Sequence, residues 1–508
     1  MTSAQSPRAG TEDFTSRLGS APAFPTTPFY QGDPRQDMEE ALRRDLQLHK
    51  AHVVMLAEQG IISAANAKAI VAELLDLERL GIEAISLDST LGLYLSTEKY
   101  LLGRLGADVA GRMHTARSRN DLEPANSRLY VRENINQIMQ ALIGLKKALL
   151  FRAAEHVETV MPGYTHHSQH AQPITFAHYL LASHDAFSRD IRRFEQAYAV
   201  VNLSPMGGCA LAGTGFPINR ERVAGLLGFD GLVENSLDAT GHVDYLLQTA
   251  AAIAIALSNL GRMSEGIYLW NTAEFGMLEL ADEYCSISSI MPQKRNPVAL
   301  EMIRGESILV AGQLNGMFGV LKALPPGGGR EWGYVNRAFP GCANAARGAI
   351  ETMAGIVSTL VVKRDVMARR AAEGFSSVTE LADEIVRRAD LSFRQAHHIV
   401  GLTTLEAVKA GKKADQITGA MLDAAAMEVI GRPLGLDEQI IRKALDPYEN
   451  VRIRSVIGGP APDEVRRMID ARNAVLAEDQ DRLEHRRRRL AQAAQGLRDA
   501  VAATLNHR

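Results

Sequence analysis

Cysteine is scarce. Three residues in 508, Cys209, Cys285 and Cys342, are too few and too scattered for a disulfide framework or a zinc cage. They read as reduced thiols of a cytoplasmic protein. Charge of one sign is also missing: 56 Lys and Arg against 59 Asp and Glu leave a formal charge of -3, which argues against a basic nucleic-acid binder. The first thirty residues, 1–30, lack the apolar core of a signal peptide and are rich in Ser, Thr, Pro and Gly, so they read as a flexible arm. The most apolar internal run, 246–260, is interrupted by Gln248, Thr249, Ser258 and Asn259, and reads as a buried helix rather than a membrane span. Alternation of strand and helix patterns is absent, and β-branched runs are few.

Helical periodicity fills most of what remains. Val131, Ile135, Ile138, Leu142, Leu145 and Leu149 alternate steps of four and three, the seam of a helix packing lengthwise on others. Leu246, Ala250, Ile253, Leu257, Leu260, Ser264 and Ile267 repeat the pattern. The expected fold is all-α: a long central helix bundle with smaller helical N- and C-terminal domains. The divisions are an arm at 1–30, an N-terminal helical domain at 31–112, the bundle at 113–363, a C-terminal helical domain at 364–477 and a charged helical tail at 478–508. The tail holds four consecutive arginines, Arg486, Arg487, Arg488 and Arg489, read as a solvated helix face, with a patch for an anionic partner as the competing reading.

Three polar segments interrupt the helical pattern. HTARSRND (114–121) precedes the first seam helix and offers Ser118, Arg119 and Asn120 as carboxylate donors near a helix N-terminus; a capping cluster would look similar. The second, 163–173, carries Thr165, His166, His167 and His170. Its histidines lack an HExxH spacing or a cysteine partner, so proton transfer is the better reading than a metal. The third, 285–297, places Ser288, Ser289, Lys294 and Asn296 in a loop ahead of a helix, where hydroxyls, backbone N–H groups and an ammonium can hold an anion. A polar interhelical loop is the competing reading there.

Together these segments resemble the signature regions of the aspartase/fumarase superfamily, closest to its argininosuccinate lyase branch. SSIMPQKRNP matches the superfamily pattern SSxMPxKxNP, HTARSRND differs by one residue from HTGRSRND, and MPGYTH followed by AQPITF matches the branch's second region. The resemblance spans about residues 35–477. It implies a homotetramer with composite active sites, a small-molecule succinyl-amine substrate, fumarate as product, and neither metal nor organic cofactor, nucleic acid nor membrane partner. By motif position Ser288 would remove the Cβ proton, and Lys294, Asn296 and loop N–H groups would hold the resulting charge. Ser118, Arg119, Asn120, Thr165 and Ser289 would grip the carboxylates. His166 would protonate the leaving nitrogen with Glu301 as its partner; the segment is one residue longer than usual, so His167 competes for that role.

The amine side departs from the branch. Val298 stands where an aspartate is usual, Gly92 or its neighbour Leu91 where an acidic residue is usual, and Tyr94 where a histidine is. Gly328 replaces a tyrosine, and Arg330 and Arg337 add positive charge. Fewer acids and more arginines suit a cationic amine poorly. The expected activity is therefore a carbon–nitrogen lyase on an N-substituted aspartate such as an ethylenediaminedisuccinate or iminodisuccinate. The alternatives are an argininosuccinate lyase proper, a carbon–oxygen lyase or cycloisomerase, and a silent structural relative, the last disfavoured by retention of Ser288, Lys294, Asn296 and Glu301.

Overall fold

The structure is a computed structural model and describes residues 34–87, 92–166, 169–322, 324–325, 327, 329 and 331–507. The expectations placed on 1–30, Leu91, His167, Gly328 and Arg330 lie outside the described residues.

The first seam becomes helix α4 (Arg119–Glu155), in which all six seam residues are buried. At 1.5 Å per residue its 37 residues span about 55 Å. It packs in a bundle with α5 (Phe176–Val201), α8 (Asp244–Asn271), α9 (Val298–Leu321) and α10 (Trp332–Thr359). Two short helices, α6 (Arg220–Leu226) and α7 (Ser236–Gly241), lie between α5 and α8. Helix α8 is long and apolar enough to cross a membrane, yet its whole seam from Leu246 to Ile267 is buried in the bundle core.

Polar contacts fix the directions. Arg128, early in α4, donates to Val200 O at the end of α5 (2.7 Å) and lies 4.1 Å over the ring of Tyr245 at the start of α8. Arg347 donates to Gln137 (2.5 Å), and Arg152, at the far end of α4, reaches Leu360 O just beyond α10 (2.6 Å). Helices α4, α8 and α10 thus run one way. Helix α5 runs the other, and so does α9, because Ser264 late in α8 donates to Leu300 O at the start of α9 (2.9 Å).

A second core lies under α1 (Pro34–Glu58), α2 (Ala64–Leu80) and α3 (Gly92–Ala110), with Leu42, Leu46, Leu56, Ile70, Leu74 and Leu77 buried. A third is formed by α12 (Val378–Ala389), α13 (Phe393–Lys409), α14 (Gly419–Ile430) and α15 (Glu438–Leu445), flanked by α11 (Arg364–Glu373) and α16 (Pro447–Ile453). The last helix, α17 (Pro462–Asn506), ties two of these cores together. Its first half buries Val465, Met468, Leu476 and Leu483 in the bundle, and its second half buries Leu497 and Val501 in the N-terminal core.

The basic run lies on that helix. Arg487, Arg488 and Arg489 are exposed, as a solvated face requires, but the run also clamps neighbours. Arg486 sits 3.7 Å from the Tyr198 ring centroid, Arg487 donates to Gln140 (2.9 Å), and Arg489 pairs with Asp230. About two turns before Arg486, Asp479 pairs with the fully buried Lys146 of α4.

Strand is confined to short pieces. The longest is a hairpin of β1 (Val160–Thr165) and β2 (Gln169–Thr175), in antiparallel register from Val160↔Thr175 to Thr165↔Gln169 with an irregularity between Pro162 and Tyr164. Gly163 occupies the irregularity because a Cβ there would collide with the carbonyl of Gln172.

Candidate active site

The first segment is built as a helix start. Ser118 is the N-cap of α4: its Oγ accepts from Asn120 N (3.3 Å), while Asp121 Oδ1 accepts from Ser118 N (3.1 Å), a capping box. The capping reading of this segment is what the structure shows; the Ser118 hydroxyl caps through its oxygen, which leaves its hydrogen available to donate. Asp121, fully buried, also accepts from Gly207 N and Cys209 N at 3.0 Å each, and burial raises its pKa against those donors. Asn120 reaches Ala210 O (2.9 Å). Arg119 and Asn120 are exposed at the positive end of the helix dipole, a place suited to a carboxylate.

Beneath this segment lies a group of residues of which the sequence singles out only Tyr94. Arg117 is buried, with Nη1 against His49 Nδ1 (2.9 Å) and its guanidinium 5.8 Å from the ring of Tyr94. Tyr94, also buried, bonds through its hydroxyl to His114 Nδ1, and His52 Nε2 donates to Thr115 O (2.9 Å). Tyr94 thus stands next to the first segment. Burial favours the neutral form of the three imidazoles, pushing His49 well below its ordinary value, His52 down to about 3 and His114 downward.

These histidines give a pH prediction. The unfolded chain takes up the His52 proton near pH 6.5, the folded chain only near 3. The stabilisation is complete above about pH 6.5 and is lost toward pH 3, at about 1.4 kcal/mol per unit. Asp45 works in the opposite sense: burial raises it to about 6, so its contribution grows as pH falls through 6. Comparing wild type with His52→Asn isolates the histidine. The melting temperature of the variant is expected to fall less between pH 7 and pH 4.5, and parallel curves would contradict the assignment.

The second segment is the β1–β2 hairpin. Thr165 closes the ladder and His166 begins the turn at φ +44°, a left-handed conformation that His tolerates better than most residues. Both are exposed, as is His170, whose ring meets Tyr164 edge-on at 5.4 Å.

The third segment is a projecting loop. Ser286 and Ile287 pair antiparallel with Asn296 and Arg295, and the turn between them carries Ser288, Ser289 and Lys294. Arg295 anchors its base through Glu279 and Asp282 at 2.6 Å each and Leu280 O at 2.7 Å. Ser288 is half-buried, and its Oγ accepts from two backbone N–H groups, Ile290 (3.3 Å) and Met291 (3.1 Å). Two donors aimed at one hydroxyl oxygen favour its anionic form. Ser289 and Lys294 are exposed, Asn296 and Val298 half-buried, and Glu301 lies exposed on the first turn of α9.

Within one chain these parts do not meet. The first segment sits at the N-terminus of α4. The hairpin follows its C-terminus, about 55 Å away. The third segment lies at the hairpin end as well, since it precedes α9 and Tyr164 OH approaches Met277 Sδ at 3.9 Å. No hydrogen bond or ion pair among the described residues joins the first segment to the other two, and none joins His166 to Glu301.

Beside the first segment is a cavity of about 370 Å³ between α1, α3, α4 and α10. Among the described residues, Asp37, Glu40, Asp45 and Glu123 line it against one cation, Arg44, together with Tyr94 and Asn336. Asn126 bridges its wall, accepting from Arg44 Nε (3.0 Å) and donating to Asp45 (2.6 Å). Arg337 is exposed over Tyr334.

A five-helix bundle that presents three such segments at its two ends defines a lyase of the aspartase/fumarase superfamily. A family described as lyase matches residues 36–312, and one described as argininosuccinate lyase C-terminal matches 375–452. The chain belongs to the argininosuccinate lyase family. It is 40% identical over 446 residues to an argininosuccinate lyase of Methanococcoides burtonii, covering 87% of this chain and 89% of that one. With the enzyme of that name from Methanocaldococcus jannaschii it shares 42% identity over 432 residues, 85% and 88% of the two chains. Among solved structures, an EDDS lyase variant with bound fumarate superimposes with a TM-score of 0.87 at 36% identity, covering 96% of this chain and 97% of that one. A class II fumarase of Schistosoma mansoni, at 18% identity and a TM-score of 0.67, shares the fold; 84% of this chain and 96% of that one are covered.

Proposed function

We propose that this lyase eliminates fumarate reversibly from an N-substituted aspartate, in a homotetramer whose active sites draw the three segments from different subunits. The length of α4 carries this reading: segments that must act on one succinyl group lie at opposite ends of a 37-residue helix. Helix α9 supplies an assembly surface. Between Glu306 and Lys322 it has no charged residue, Ile308 is 73% exposed, and Leu309 beside it and Phe318 further along are exposed. Gly305, Gly312, Gly316 and Gly319 of the same helix have open space over their Cα atoms, where another helix can approach closely.

In the proposed reaction Ser288, as alkoxide, takes the Cβ proton. The electron pair left behind delocalises into the adjacent carboxylate, where Lys294 and Asn296 stabilise it. The C–N bond then breaks with its electrons moving to nitrogen, which takes a proton from His166, paired with Glu301 across the subunit boundary. The first segment and Thr165 hold the carboxylates. The step is complete without a metal or organic cofactor.

For the amine half we favour a group other than arginine, of the aminopolycarboxylate kind. The replacement of acid by Val298 and the likeness to an EDDS lyase support this. A second reading, argininosuccinate lyase proper, is favoured by the acid-lined cavity beside Tyr94 and by the relatives of that name. Comparing kcat/KM for argininosuccinate, iminodisuccinate and ethylenediaminedisuccinate decides between them. We expect argininosuccinate to rank below the other two and Val298→Asp to shift preference toward it; argininosuccinate ranking first would establish the second reading.

A further inference from the structure

About four turns along α4 from Ser118, the second half of α17 crosses the N-terminal helices over a cavity of about 240 Å³. Its apolar wall is made by Leu75, Leu226, Leu227, Leu490, Leu497 and Val501. Its charged lining is Lys50, Glu78, Arg132 and Arg498. Lys50 and Glu78 neutralise each other at 2.8 Å, which leaves two guanidinium groups.

Neither of them has a carboxylate partner among the described residues. Arg498 is held only by the amide oxygen of Gln495 (2.5 Å). Arg132 is 7% exposed, and its Nη1 donates to two neutral oxygens, Asn202 Oδ1 (2.9 Å) and Leu227 O (3.0 Å). Its Nε is buried without an acceptor. A guanidinium stays protonated at neutral pH, so this is a buried positive charge against an apolar wall. Burying an unpaired charge is costly, and a carboxylate in the cavity would relieve that cost. The volume lies below the roughly 300–1,000 Å³ of drug-sized pockets, which calls for a short occupant.

We propose that this cavity binds a small amphiphilic carboxylate. The carboxylate meets Arg132 and Arg498, and a short hydrocarbon chain lies along the leucines. Because the wall comes from α2, α6 and α17 and the charge from α4 and α17, occupancy fastens the end of α17 onto the N-terminal domain.

The test uses the full-length protein, calorimetric titration with octanoate, and octan-1-ol and octylamine as controls, each with and without saturating fumarate. The expected result is one saturable octanoate site per chain and a rise in melting temperature that fumarate leaves unchanged. Arg498→Glu, an exposed position, should weaken octanoate by about tenfold, the effect of reversing a charge-assisted contact. Leu497→Trp, which fills the cavity, should abolish binding. Equal responses to octanol or octylamine, displacement by fumarate, absence of saturation at millimolar octanoate, or unchanged affinity in either folded variant would overturn the proposal.

Discussion

Ser288→Ala is expected to lower turnover by about 10²–10⁴-fold, the usual contribution of a positioned general base. The melting temperature should barely change, because the residue is half-buried in a projecting loop and its side chain touches only the turn it belongs to. If Ser288 only capped that turn, its loss would cost about 0.5–2 kcal/mol of local stability, and the rate would follow the folded fraction. The two roles separate in one experiment: steady-state release of fumarate beside a thermal melt, with exchange of the Cβ proton into D₂O followed by NMR. Loss of both turnover and exchange in a protein that melts normally fits the base. Full turnover in the variant would remove Ser288 from the mechanism.

The second large effect is recovery of activity from two inactive proteins. Asn120→Ala damages the first segment and Ser288→Ala the third, at opposite ends of the bundle in any one chain. If each site takes these segments from different subunits, dissociating and reassembling the two variants together creates some sites free of either substitution. Activity well above that of either parent is then expected after mixing, and none after each variant is reassembled alone. A mixture that stays as inactive as its parents, with mixed assemblies shown to have formed, would mean that one chain supplies the whole site.

The bundle was legible in sequence because seams such as Val131 to Leu149 and Leu246 to Ile267 repeat at the helical period over many turns. The β1–β2 hairpin was not. Pro162, Gly163 and Pro173 break the alternation that marks a strand, and the direction of the turn depends on a left-handed His166. The three signature segments were readable as motifs, but their placement at two ends of the molecule follows only from the unbroken length of α4. Arg117 and its histidines escaped notice for a different reason. His49 and His52 look like ordinary positions of an amphipathic helix until the fold brings a buried arginine from a segment distant in sequence against them. The acid-lined cavity is similar: Asp37, Glu40 and Arg44 share one face of α1, and only packing sets them beside Glu123 and Tyr94. The α17 arginines matched a solvated run in composition, whereas their partners on α4 and α5 depend on tertiary contact.

The most direct measurement runs the reaction toward bond formation. The pure protein is incubated with fumarate alone and with fumarate plus arginine, ammonia, ethylenediamine, aspartate or a neutral amine, and the loss of fumarate absorbance is followed. No loss is expected with fumarate alone, and loss with ethylenediamine or aspartate that yields an N-substituted aspartate. Consumption with arginine alone would contradict the assignment of the amine half, and consumption with no amine present would contradict carbon–nitrogen lyase chemistry itself.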